Sequence, residues 1–189
     1  MDYPYPSWLV VGLSLVGLKV KTSFKRLGGS LDIMLMNAGS FKCPLNVLLV
    51  DDDPNHALLV RFGFQKLGLG NSLHVVDSGE SAIQYLSGQA RFHDRKLFPL
   101  PNMILTDLKM PAIDGFEFLI WLRAHPQWAE VPTVVMSSSD ESNDVRKAYA
   151  LGANSFVVKP AELGELTRLI EVILKYWSCC ECLPRNGDR

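Results

Sequence analysis

From Leu45 onward, short apolar runs alternate with segments whose apolar residues recur every three or four positions. That alternation predicts β–α units and a parallel sheet. The first strand spans Asn46 to Val50 and runs straight into three aspartates, within "VLLVDDDPNH". A helix follows from Pro54, the favoured first helical position, with Leu58, Leu59 and Phe62 as its stripe and Gly68 and Gly70 at its end. "LHVVD" (73–77) predicts the second strand, and "SGESAIQYLSG" (78–88) a helix N-capped by Ser78. A polar, proline-bearing loop over 89–101 leads to the third strand, "NMILTD" (102–107). "DGFEFLIWLRAHP" (114–126) predicts a helix closed by proline, and "PTVVMS" (132–137) the fourth strand. "DESNDVRKAYALG" (140–152) predicts a helix with acids first and glycine last, as the helix dipole and C-cap favour. "NSFVVK" (154–159) is the fifth strand, and the last helix covers 162–177, with Leu163, Leu166, Ile170, Ile173, Leu174 and Trp177 on one stripe.

Five such units make an α/β fold, (βα)5, whose strands are too apolar to face water, so helices are expected on both faces. In open sheets of this kind the functional crevice lies beyond the carboxyl ends of the strands. Those ends carry Asp51, Asp52 and Asp53, then Asp107, Ser137 and Lys159, the last followed by Pro160. If strands one, three, four and five are neighbours, these residues share one pocket. Asp53, directly before Pro54, reads as the helix cap, which leaves Asp51 and Asp52 in excess for capping. Three carboxylates in a small volume need a compensating cation. Oxygen ligands suit a hard divalent ion such as magnesium (Mg2+). One carboxylate can then act as a nucleophile toward phosphorus, with metal and lysine neutralising the transferring group.

Composition narrows the classes. A formal net charge of −1 over 189 residues argues against a broad nucleic-acid footprint. The apolar run Trp8–Leu18 is too short to span a membrane, has Asp2 as the only charge before it, and is followed by no clear cleavage site. Neither a secretory signal nor a membrane anchor is expected. Residues 1–43 read either as a local extension or as a product of start-site choice, since Met34 or Met36 would open a leaner chain. Of the four cysteines, Cys43 stands apart and Cys179, Cys180 and Cys182 crowd the tail without a second pair or a histidine to complete a zinc site. Reduced cytosolic thiols are the plain reading; tail lipidation or metal capture are the others.

The motifs "LLVDDD", "ILTDLKMP", "VVMSS" and "SFVVKP", in this order and on these strand ends, resemble the receiver domain of two-component response regulators. The resemblance covers about residues 45–177 and places a receiver domain at 44–177 and a tail at 178–189. It implies a flavodoxin-like doubly wound sheet in the order 2-1-3-4-5. It implies Asp107 as the phosphoacceptor, and Asp51, Asp52 and Asp107 with the Lys109 backbone carbonyl as the magnesium ligands. Ser137 matches the switch hydroxyl, Phe156 the aromatic that follows it, and Lys159 the lysine that contacts the phosphoryl group. The bond before Pro160 is expected to be cis, and Lys109 and Ser139 lie where the family tunes hydrolysis. The loop before the third strand and the stretch from Leu108 to Ser139 are most similar to small stand-alone regulators paired with phytochrome-type histidine kinases. A cytoplasmic phosphorelay protein without a DNA-binding module, with a sensor kinase as partner and dimerisation through the last helix and fifth strand, is what this implies.

Two other functions remain in view. A haloacid dehalogenase-type phosphatase also combines aspartate, serine, lysine and magnesium, and "DDDPN" offers Asp51 and Asp53 as D-x-D, but Asn55 stands where threonine or valine is usual. A degenerate receiver would bind partners without phosphorylation. His56, His74, His93 and His125 read as structural or surface residues, since none pairs with a plausible nucleophile. In the helix at 115–124, Phe118, Leu119 and Leu122 share a face while Ile120 and Trp121 fall off it, either as extra packing or as a docking surface.

Overall fold

The computed structural model describes residues 45–160, 162–178 and 180. Its strands are β1 (Val47–Val50), β2 (Leu73–Val76), β3 (Met103–Thr106), β4 (Thr133–Ser137) and β5 (Ser155–Val158), all parallel, in the order β2-β1-β3-β4-β5. The helices are α1 (Pro54–Lys66), α2 (Gly79–Ser87), α3 (Gly115–Ala124), α4 (Pro126–Ala129), α5 (Ser142–Ala150) and α6 (Leu163–Ser178). The N-terminal extension and the cysteines at 43, 179 and 182 fall outside the described residues; Cys180 is described and is a free thiol.

Strand side chains alternate between faces, and here both faces are apolar. Val47, Leu49, Met103, Leu105, Val134 and Met136 pack on one face against Val60 and Phe64 of α1 and Leu166, Ile170 and Leu174 of α6. Leu48, Val50, Val76 and Ile104 pack on the other against Tyr85 and Leu86 of α2 and Phe118 and Leu122 of α3. A third cluster, built on Leu108, Leu119, Val135 and Ala148, joins α3 and α5 at the β4 side and takes Phe156 against it. The central strands β1, β3 and β4 are therefore buried throughout. Edge strand β5 departs from the expectation of full coverage: its residues are half-buried and Val158 is 47% exposed, because an edge strand has one covered flank instead of two.

Two local features differ from the sequence reading. The stretch at 89–101 is not a plain polar loop. Phe92 is buried, and Phe92 and Phe98 pack on Tyr85 of α2 with ring centroids 5.1 and 6.0 Å away. Arg95 donates to the carbonyls of Tyr85 and Leu86 at 2.8 Å each, closing the C-terminus of α2. The helix predicted over 114–126 stops at Ala124, and Pro126 opens the short helix α4. Its predicted N-terminus holds, with Asp114 and Glu117 forming a reciprocal capping box. Trp121 is half-buried and stacks on His125 at 4.1 Å, so it belongs to the packing, whereas Ile120 stays exposed.

Gly115 sets how α3 leaves the end of β3. Its N–H donates to the Leu108 carbonyl at 3.0 Å, and a Cβ there would lie 2.1 Å from the Asp107 carbonyl oxygen. Gly115→Ala therefore forces the backbone that carries Asp107 to move. The expected cost is about 1–3 kcal/mol, read by urea denaturation. A second expected outcome concerns Tyr85, whose hydroxyl donates to the Pro99 carbonyl at 2.8 Å and whose pKa burial pushes up to about 12. Between the ordinary phenol value of about 10 and that value, the unfolded chain loses a proton that the folded chain keeps. Stability therefore falls as pH rises through this window. Tyr85→Phe should remove that part of the alkaline loss, together with the highest-pH tyrosine absorbance change.

Candidate functional site

Three of the strand-end residues are pinned by backbone bonds to the neighbouring strand. Asp51 N–H donates to Val76 O at 3.1 Å, Asp107 N–H to Val50 O at 2.9 Å, and Lys159 N–H to Ser137 O at 2.8 Å. Each is thus held one residue beyond the last regular strand position, where the chain turns outward. The parallel arrangement brings all of them to the same end of the sheet.

Lys159 ties the cluster together. Its Nζ lies 2.8 Å from Asp51 Oδ2 and 2.7 Å from Asp107 Oδ2. The side chains are 5% exposed for Lys159, 1% for Asp51 and 10% for Asp107, so solvent screens these pairs little. The remaining oxygens are engaged as well. Asp51 Oδ1 accepts the Asp53 N–H at 3.1 Å, and Asp107 Oδ1 accepts Leu108 N–H at 2.6 Å and Lys109 N–H at 3.3 Å. Burial nevertheless pushes the Asp51 carboxyl above its ordinary pKa, against the opposing pull of Lys159. A second positive charge at this place would relieve that cost, and the carboxylate oxygens suit a hard divalent cation.

Asp52 is exposed beside this pair and outside the group of converging donor atoms. Asp53 behaves as the sequence predicts: its side chain accepts the Asn55 N–H at 2.8 Å and caps α1, and that bond holds its carboxyl below the ordinary value. Ser137 is fully buried, and its Oγ accepts the Ser139 N–H at 3.2 Å. Ser139 in turn donates to Asp144 near the start of α5 at 2.9 Å. Phe156 is half-buried, and its N–H donates to the Tyr149 hydroxyl of α5 at 3.2 Å.

Two expectations are corrected here. The bond before Pro160 is not cis; every described peptide bond is trans. Trans is the intrinsically lower state of an X–Pro bond by about 0.5–1 kcal/mol, and cis requires packing that overrides it. His56 is also not a bystander. Its Nδ1 lies 3.1 Å from Lys159 Nζ, 3.8 Å from Asp51 Oδ1 and 3.5 Å from Asp53 Oδ2. Spacing gives only its direction, since His56 sits three residues after the cap of α1 and first-turn side chains tilt back toward the helix N-terminus; its partner Lys159 lies 103 residues away. The other histidines fit the structural reading: His74 sits beside Tyr85, and His125 stacks on Trp121.

The response regulator receiver domain model matches residues 47–171. A probable methanogenesis regulatory protein, FilR2 of Methanothrix harundinacea, is 34% identical over 71% of this chain and 84% of its own length. Response regulator Rcp1 of Synechocystis is 29% identical over 75% of this chain and 94% of its own. Its Mn(2+)-bound crystal structure superposes with a TM-score of 0.66 over 75% of this chain and 99% of that one. The phosphorylated cyanobacterial phytochrome response regulator RcpA, 26% identical with 75% and 99% covered, gives a TM-score of 0.68. With the strand order, the strand-end acids and lysine, and a family match across five strands, the chain belongs to the response regulator receiver family.

Proposed function

We propose that Asp107 accepts a phosphoryl group from a sensor histidine kinase of the phytochrome type, and that the chain works in the cytoplasm as a phosphorylation-controlled binding module. The observation that carries this reading is the convergence of the Asp51 and Asp107 carboxylates on the buried Lys159 ammonium. In the transfer, one Asp107 oxygen forms a bond to phosphorus while the P–N bond of the kinase phosphohistidine breaks, and its electron pair returns to the imidazole nitrogen. The backbone N–H groups of Leu108 and Lys109 hold the carboxylate in orientation. Lys159 then neutralises phosphoryl oxygens in place of the carboxylates, and the Ser137 hydroxyl donates to one of them. Asp51, Asp52, Asp107 and the Lys109 carbonyl would hold magnesium, which supplies charge neutralisation for the dianionic phosphoryl group.

The output follows from packing. Ser137 is tied through Ser139 to Asp144 of α5, and Phe156 leans on the cluster containing Ala148 of α5. Drawing Ser137 toward a phosphoryl group therefore pulls on the loop after β4 and alters the surface made by α5, β5 and α6. Exposed Val158, Val172 and Tyr176 supply apolar contact for a homodimer through β5 and α6. No helix among the described residues is long and apolar enough to cross a membrane. The phosphatase alternative is disfavoured because Asp53 is committed to capping α1, which removes the second acid of a D-x-D pair.

A small phosphodonor with Mg2+ should add one phosphoryl group by intact-protein mass spectrometry, and Asp107→Asn should add none. Equal labelling of the variant would sink the assignment, and repeated turnover of a phosphate ester would favour the phosphatase. Asp51 gives an independent readout. Its folded pKa lies above the unfolded 3.8, so the folded state binds the extra proton and metal-free stability falls as pH rises past about 4. Asp51→Asn should therefore raise the melting temperature in metal-free buffer at pH 7 and lose most of the rise that Mg2+ gives the wild type, both measured by thermal denaturation.

A further inference from the structure

His56 stands at the acidic end of the sheet with no role in the transfer described above. Its ring nitrogen faces an ammonium at 3.1 Å. An ammonium has three donors and no acceptor, so this contact is a hydrogen bond in the tautomer that carries its proton on Nε2 and accepts at Nδ1. The imidazole therefore aims a lone pair into the cluster. Three acceptor atoms from β1, α1 and β3 thus meet on one cation: Asp51 Oδ2 at 2.8 Å, His56 Nδ1 at 3.1 Å and Asp107 Oδ2 at 2.7 Å from Lys159 Nζ. Donor atoms of these three residues all lie within 4.8 Å of one another. Lys159 marks the point where a positive charge is received, and the set around it is two oxygens and one nitrogen.

That composition has a chemical consequence. Magnesium takes oxygen ligands and keeps much of its water, whereas imidazole binds first-row transition ions along the rising affinity series from manganese toward copper. A receiver pocket made of carboxylates and a carbonyl offers such ions little advantage; an imidazole nitrogen does. We propose that His56 Nδ1 is a direct ligand of the divalent cation in this chain and biases the site toward first-row transition ions such as Mn2+ over Mg2+. The inference rests on the metal-dependent receiver reading above and assigns the metal preference of that site. The half-buried position of the ring, 33% exposed, leaves the ion a path from solvent. The acceptors that satisfy the ammonium also satisfy a metal ion, which leaves Lys159 to the phosphoryl group.

The test uses the full 189-residue chain loaded with Mn2+ alone and read by pulsed electron paramagnetic resonance. Nitrogen-14 modulation from a directly bound imidazole is expected in the wild type and should vanish in His56→Ala and His56→Gln. In competition titrations, the ratio of Mn2+ to Mg2+ affinity should fall about 10-fold in both variants, the scale at which weakening one ligand's support acts on metal affinity. Mn2+ bound without nitrogen modulation in the wild type would falsify the role of His56 while leaving the carboxylate site intact. Modulation that persists in both variants also overturns it, by assigning the nitrogen elsewhere. A wild-type chain that binds neither ion overturns the metal-dependent reading together with this inference. The wild-type spectrum decides the point even if one variant folds poorly.

Discussion

Two buried carboxylates held 2.7 and 2.8 Å from one buried ammonium are the constraint around which the rest of this molecule is arranged. A charge with no partner is costly in that environment. Lysine is one cation shared between two acids, so the cluster carries a net negative charge, and burial raises the Asp51 pKa despite Lys159. An under-compensated anionic pocket is what a receiver of metal ion and phosphoryl group requires. The cost of burying both carboxylates is one that a further cation would relieve.

The sheet makes this arrangement possible by rigidity. Backbone bonds from Asp51 to Val76, from Asp107 to Val50 and from Lys159 to Ser137 extend the strand ladder by one residue at each site position. Beneath them, Leu48, Leu49, Val50, Ile104, Leu105, Val135 and Met136 are almost wholly buried. The side chains therefore start from fixed points. The β4–β5 side is less buried: β5 is half-exposed, and Ser139, Asp144, Tyr149 and Phe156 link the loop after β4 to α5 and the edge strand. These contacts connect the charged end of the sheet to a thinly packed part of the surface.

Some of this was legible in the chain and some was not, and the division follows the range of the interactions. The strands and helices were readable because period-two and three-to-four spacing are local; the helix break after Ala124 is also local, with His125 extended before Pro126, whereas in the 89–101 segment a distant neighbour decided. Phe92 is buried and Phe98 half-buried because Tyr85 of α2 lies beneath them. Asp53 was readable as a cap because capping involves residues two or three positions away. His56 was misread as peripheral because its partner, Lys159, lies 103 residues further along.

By itself, then, the sequence determined the order of five strand–helix units, the acids, serine and lysine placed at the strand ends, and the caps that start α1 and α2. Those features depend on contacts within a few residues. Tertiary structure alone decided that Lys159 bridges Asp51 and Asp107, residues 108 and 52 positions away. It likewise decided that Asp52 stands outside the donor cluster and that His56 stands inside it. The physical reason is that a side chain's direction is set locally, but what it meets is set by strand order and register, and these are fixed only when the whole core closes.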